Sequence, residues 1–169
     1  MYTIGIDPGV SNLGLSILDE KNEIVLVERL VPKNLGLINP CVDRIEEIIS
    51  PFLKETVSVG VEKYVVYGRG VPSTSMVDTT MLVGALSYMF HRNGLEAQLF
   101  KAIDWKKSIC KHLFKEEGFK NPSDSFDKKY SLAVAEHICG KKLKTDHEAD
   151  AVGIAYNARL RKENAVSTR

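Results

Sequence analysis

The sequence predicts an α/β fold, a mixed five-stranded sheet flanked by helices, and three observations carry that reading. Three short strand-like runs follow one another from the N-terminus. Two further strand-like runs then alternate with helical stretches, and the apolar spacing changes from every second residue to every third or fourth where the helices begin. A chain of 169 residues, 44% of them hydrophobic, has the size and apolar content of one domain with its own core. That domain is placed at residues 1–162, with 163–169 as a C-terminal tail.

The elements follow in order. "YTIGID" alternates Ile4 and Ile6 with smaller residues, and "GLSILDE" and "EIVLVERLV" flank the turn-forming "KN", so the three runs read as a meander. In "NPCVDRIEEIISPFLKE", Val42, Ile45, Ile49 and Phe52 fall at helical spacing, with Pro51 set to kink or end the helix. "SVGVEKYVVYG" is valine-rich and bounded by glycine, which predicts a buried strand. "STSMVDTTMLVGALSYMFHRNG" opens with hydroxyl caps and closes on Asn93-Gly94, a helix with both ends marked. "EAQLFKAI" reads as a further strand, and residues 104–117, 127–139 and 145–162 as three more helices. Strands first and then strand–helix alternation make a mixed sheet with helices on its faces.

Composition narrows the function classes. No window approaches the roughly 18 uninterrupted apolar residues of a membrane helix. The start "MYTIGIDPG" lacks the basic flank and apolar length of a secretion signal. The protein is expected in the cytoplasm and away from membranes. Cys41, Cys110 and Cys139 are odd in number, far apart and in no C-x-x-C pair, which argues against a disulfide scaffold or a zinc site. Charge is unevenly spread: residues 1–100 carry 8 Lys and Arg against 12 Asp and Glu, whereas residues 101–145 carry 11 lysines against 6 acids. An acidic region suited to cations thus stands beside a basic strip suited to a polyanion.

Three acidic positions stand out. Asp7 closes the first strand just before a Pro-Gly-Val-Ser-Asn turn, where ligands of α/β sheets gather; a turn aspartate capping its own loop would look the same. Glu62 is set in the apolar run Val57, Val59, Val61, Val65, Val66 and must either face water from an edge strand or meet a cation. In "TDHEADAVGIAYN", Thr145 and Glu148 have capping-box spacing. His147 and Asp150 then lie three apart and Asp146 and Asp150 four apart, so either pair can share a face. Acids also suit a helix N-terminus on their own account. Each position has a separate structural explanation, while one functional explanation covers all three: convergence on divalent metal. Carboxylate oxygens suit Mg²⁺ or Mn²⁺, and two such ions about 4 Å apart assist phosphodiester hydrolysis.

"IGIDPGVSNLGLSIL", the glutamate of "VGVEKYVV" and "HEADAVGIAYNA" together resemble the RuvC family of Holliday junction resolvases, within the ribonuclease-H-like, retroviral-integrase superfamily. The three motifs occur in the family's order and span nearly the whole chain. The shortness of the motifs resembles phage or viral members. The resemblance implies a ribonuclease-H-like nuclease domain and an Mg²⁺- or Mn²⁺-dependent endodeoxyribonuclease with a two-metal site. It places the family's catalytic and metal-binding positions on Asp7, Glu62, Asp150 and, three residues earlier, His147, with Asp146 as a possible additional or alternative ligand. In bacterial relatives Thr-Gly stands where this chain has Asn12-Leu13-Gly14, and an aromatic where it has Val65.

The resemblance also implies branched DNA, chiefly four-way junctions, as the partner. Lys106, Lys107, Lys111, Lys115, Lys128 and Lys129 fall where the family binds phosphates, and Tyr64, Tyr67 and Arg69 are further candidates for DNA contact. A junction cut twice suits a homodimer. The helix over 76–92, with Met76, Leu82, Leu86, Met89 and Phe90, is the candidate interface, or else ordinary core. A superfamily relative cleaving RNA–DNA hybrids or forked DNA, and a non-catalytic branched-DNA-binding protein, are the alternatives. His91, His112 and His137 have no acidic partner at ligand spacing and are given no chemistry.

Overall fold

The computed structural model describes residues 1–36, 38–64, 72–122 and 125–167. The strands are β1 (Tyr2–Asp7), β2 (Leu13–Leu18), β3 (Ile24–Leu30), β4 (Thr56–Glu62) and β5 (Ala97–Phe100). The helices are α1 (Ile38–Ile49), α2 (Thr74–Arg92), α3 (Ala102–Glu117), α4 (Lys128–Cys139) and α5 (Asp146–Ser167). The sheet order is β3-β2-β1-β4-β5. β2 pairs antiparallel with β1 and β3, while β4 pairs parallel with β1 and β5, so the sheet is mixed as expected. At the β2–β3 turn the Asp19 carboxylate accepts from the backbone N–H groups of Lys21 and Glu23, and Asn22 takes a left-handed φ of 65°, which asparagine tolerates.

The alternation of β1 sorts its side chains between two cores. Ile4 and Ile6 pack with Leu15, Ile45, Leu82, Leu86 and Phe90 beneath α1 and α2. On the opposite face lie α3, α4 and α5, where Phe100, Trp105, Tyr130, Val134, Val152 and Ile154 form a second core. α5 is buried from Ala151 through Ala158 and lies directly on the strands. Small residues permit this: a Cβ at Gly5 would overlap the Ala151 carbonyl, and one at Gly14 the His147 carbonyl. Ser16 and Ser58 donate to the Ala151 and Ala158 carbonyls at 2.8 and 3.0 Å, fastening the helix along its length.

Several boundaries differ from the sequence expectation. β4 ends at Glu62, which stands at the C-terminal end of an inner strand, between β1 and β5, rather than in the middle of the run. Val65 and Val66 lie outside the described residues. α1 ends at Ile49, two residues before Pro51, as proline's missing donor requires. α5 continues through Ser167, past residue 162, so residues 163–167 of the segment read as a tail extend this helix. Among the described residues no helix is long and apolar enough to cross a membrane.

Candidate metal-binding active site

Two neighbouring strands deliver the first two carboxylates. β1 and β4 run parallel with Thr3 opposite Ser58 and Gly5 opposite Gly60. One step further along the pleat, Asp7 and Glu62 point to the same face, the one α5 covers. The third element is the first turn and a half of α5. The Thr145 hydroxyl accepts from Glu148 N–H at 3.2 Å, and Glu148 Oε2 accepts from Thr145 N–H at 3.0 Å, so the anticipated capping box starts this helix. Gly14 pairs with Asp7 across the sheet and lets this turn settle onto β2. His147 Nδ1 is thereby brought to 2.8 Å from Asp7 Oδ2.

Glu62, His147 and Asp150 carry the electrical mark of a crowded site. Burial, reinforced by the Asp7 charge, pushes the Glu62 carboxyl up to about 7 against the opposing hydrogen bond from Trp105. Asp150 is likewise raised, by burial first; Lys106 pulls it down and Asp7 pushes it up. His147 is raised by its bond to Asp7, which outweighs its own burial. Asp150 Oδ2 receives Lys106 Nζ at 3.1 Å, and the same ammonium donates to Ser131 Oγ at 3.2 Å. The other oxygen, Asp150 Oδ1, is buried without a hydrogen-bond partner.

Such an orphaned acceptor is costly in the absence of a cation. Three carboxylates that repel one another, one with an unpartnered oxygen, form a donor set suited to a hard divalent ion. Among the described residues no group of three His, Cys, Asp or Glu side chains is placed so that it could hold a metal ion as it stands. Lys106 supplies a positive charge that the acids face, and His147 adds one only when protonated.

The structure separates the two rivals for the fourth position. His147 turns inward to Asp7, whereas Asp146 turns outward and meets Lys128 Nζ at 3.1 Å. Burial works against the Asp146 charge, but Lys128 and a backbone hydrogen bond outweigh it and hold its carboxyl below the usual range.

The lysine strip also divides. Lys107, Lys111 and Lys115 are exposed and fall at successive fourth positions of α3, one stripe beside exposed Phe114. Lys129 is exposed and Lys128 is paired with Asp146. Lys106 differs from the phosphate contact expected of it: it is buried, 9% exposed, because its ammonium turns inward to Asp150. Tyr64 is half-exposed just past β4; Tyr67 and Arg69 lie outside the described residues. Trp105, which donates its Nε1–H to Glu62 Oε2 at 2.8 Å, was not anticipated. Its one legible signal was being the single tryptophan of the chain, next to a lysine.

No family model matches the chain, and no curated protein matches it either. Two solved structures are similar over almost its whole length. One is Thermus thermophilus RuvC in complex with a Holliday junction substrate, with a TM-score of 0.72 and 17% identity, covering 97% of this chain and 96% of that one. The other is a Thermus thermophilus RuvC structure, with a TM-score of 0.70 and 18% identity, covering 98% and 97%. The chain has the RuvC fold. As this sequence builds the RuvC fold, the C-terminal ends of β1 and β4 and the start of α5 bring Asp7, Glu62, His147 and Asp150 to one edge of the sheet. The exposed α3 lysines belong to the same helical layer.

Proposed function

We propose that the protein is a metal-dependent, structure-selective DNA endonuclease that resolves four-way junctions by paired phosphodiester cuts, with other branched DNA as secondary substrates. The observation that carries this reading is the convergence of Asp7, Glu62 and Asp150, with Asp150 Oδ1 left unpartnered in a buried acidic edge. The RuvC likeness selects phosphodiester chemistry among the uses of such a site. Short motifs of this kind favour a phage or viral member over a bacterial housekeeping enzyme.

Asp7, Glu62 and Asp150 are the residues that hold Mg²⁺ or Mn²⁺, with His147 as the fourth position. Bound divalent ions supply charge stabilisation at the phosphate and an acidified water. His147, its Nδ1–H donated to Asp7, presents Nε2 as the remaining nitrogen able to position the attacking water or take its proton. Lys107, Lys111, Lys115 and Lys129 hold phosphates without reading bases. The interface for a second copy is corrected by burial: Leu82, Leu86, Met89 and Phe90 are inside the protein's own core. Val77, Met81 and Tyr88 are the exposed apolar residues of α2, and with Gly84 they form one stripe. That stripe is the proposed homodimer face.

The deciding experiment compares cleavage of a labelled four-way junction, a matched duplex and an RNA–DNA hybrid, with Mg²⁺, Mn²⁺ or EDTA, by wild type and Glu62→Gln. Paired metal-dependent nicks in the junction, lost in Glu62→Gln while binding persists, are expected. Cleavage of the hybrid alone moves the protein to a ribonuclease H activity, and junction binding without cleavage under any metal leaves a DNA-binding protein.

A further inference from the structure

We propose that Trp105 is a positioning residue that fixes the Glu62 carboxylate in the orientation needed to hold a divalent cation; this deepens the metal-site reading above and rests on it. Three observations meet at this side chain. The indole N–H donates to Glu62 Oε2 at 2.8 Å. The ring is fully buried, wedged between β4 and α5. Its six-membered edge fills a notch in α5 that exists because residue 153 is glycine: a Cβ there would stand 2.6 Å from Trp105 Cζ3.

Gly153 lies one turn beyond Asp150, and the next residue along α3 is Lys106, bonded to Asp150 Oδ2. The Lys106 ammonium rests 5.1 Å from the centroid of the Trp105 ring. The Trp105-Lys106 pair on α3 thus grips both the strand-borne glutamate and the helix-borne aspartate. A glutamate has three rotatable side-chain bonds, and leaving them free costs binding free energy each time a ligand orders them. Trp105 removes that freedom before the cation arrives.

The donor type matters. An arginine or lysine in this place would orient Glu62 and also cancel its charge, competing with the cation. An indole is donor-only and neutral, so it holds Oε2 in place without cancelling the negative charge that the two carboxylate oxygens share, and leaves Oε1 to face the metal. Partners of this kind, one bond removed from the metal, affect affinity by about 10- to 100-fold when altered. A purely structural tryptophan would also satisfy its N–H when buried, so the test must read the cation.

Mn²⁺ binding is measured by calorimetry and by electron paramagnetic resonance, without DNA, for wild type, Trp105→Phe, Gly153→Ala and Glu62→Gln. Trp105→Phe, which keeps a ring and removes the N–H, is expected to weaken Mn²⁺ binding about tenfold or more. Its junction binding in EDTA and its KM for junction stay unchanged while kcat falls. Trp105 is the single tryptophan, so wild-type fluorescence offers a second measurement that does not depend on a Trp105 variant folding. Mn²⁺ is expected to quench it, at concentrations raised at least tenfold by Glu62→Gln. Wild-type Mn²⁺ affinity in Trp105→Phe, or tryptophan emission indifferent to Mn²⁺, overturns the proposal. Wild type that binds no Mn²⁺ overturns it together with the metal-site reading. Wild type that binds Mn²⁺ through Trp105 and Glu62 yet cuts no junction overturns the nuclease reading alone.

Discussion

Glu62 concentrates the electrostatic tension of the site, since burial first and Asp7 second raise its carboxyl to about 7 from an ordinary 4.5. A carboxyl raised in the folded state binds more protons there than in the unfolded chain. Its effect on stability is therefore a penalty, absent below about pH 4.5, growing between 4.5 and 7, and complete above 7. A shift of that size corresponds to about 3 kcal/mol as an upper figure. Metal-free Glu62→Gln is accordingly expected to melt higher than wild type at pH 8, with the gap closing at pH 5; equal gaps at both pH values in calorimetry would show that Glu62 is not strained. Lys106 carries the opposite lesson. Lys106→Met leaves Asp150 without its ammonium, a loss typically of about 3–5 kcal/mol for a buried pair, and Mg²⁺ is expected to raise the melting temperature of this variant more than that of wild type. The acids themselves were legible in the sequence because each is out of place, Asp7 ahead of a turn that does not need it and Glu62 among valines. Trp105 and the inward turn of Lys106 were not, because a count of charges or a helical period does not say which lysine of a stripe finds a buried carboxylate. Only the packing of α3 against α5 decides that.

At the level of elements, the start of α5 is held by its capping box and by the contacts of Asp146, His147 and Asp150 with Lys128, Asp7 and Lys106. Thr145→Ala removes one half of the capping box and is expected to cost about 1 kcal/mol of stability, seen as a lower melting temperature, with weakened Mn²⁺ binding because His147 lies in the freed turn. The exposed stripe of α3 calls for a different measurement. Changing Lys107 or Lys111 to Gln should weaken junction and duplex binding alike and reduce the slope of log affinity against log salt by about 1 each; an unchanged slope would place the DNA elsewhere. Most elements were legible from alternation, caps and glycine stops, as Ser73 and Asn93-Gly94 around α2 illustrate. The end of β4 was not, since no glycine or proline stands directly after Glu62 to mark it. The two sides of α2 were also inseparable by composition, for both carry apolar residues and only the sheet determines that Leu82 and Leu86 face inward while Met81 and Tyr88 face out.

At the scale of the molecule, the sheet order places the two strands bearing Asp7 and Glu62 side by side, although Glu62 follows Asp7 in the chain only after two further strands and a helix. If the exposed α2 face joins two copies, Met81→Glu is expected to convert a dimer to a monomer in sedimentation equilibrium and to leave single nicks in place of paired ones; a monomeric wild type would remove that face from the mechanism. The likeness to RuvC extends across nearly all of both chains, so no large insertion or loss separates the two architectures. The bond between Asp7 and His147 joins residues 140 positions apart, and this has a consequence for how the protein comes into being. A nascent chain carries Asp7 from the outset but has nothing to pair it with until the last helix has been synthesised, capped and laid across the strands. Because such distant closure is slow relative to local folding, a copy that lacks α5 lacks the complete acidic edge, and the proposed metal site closes only after β1 and α5 have met.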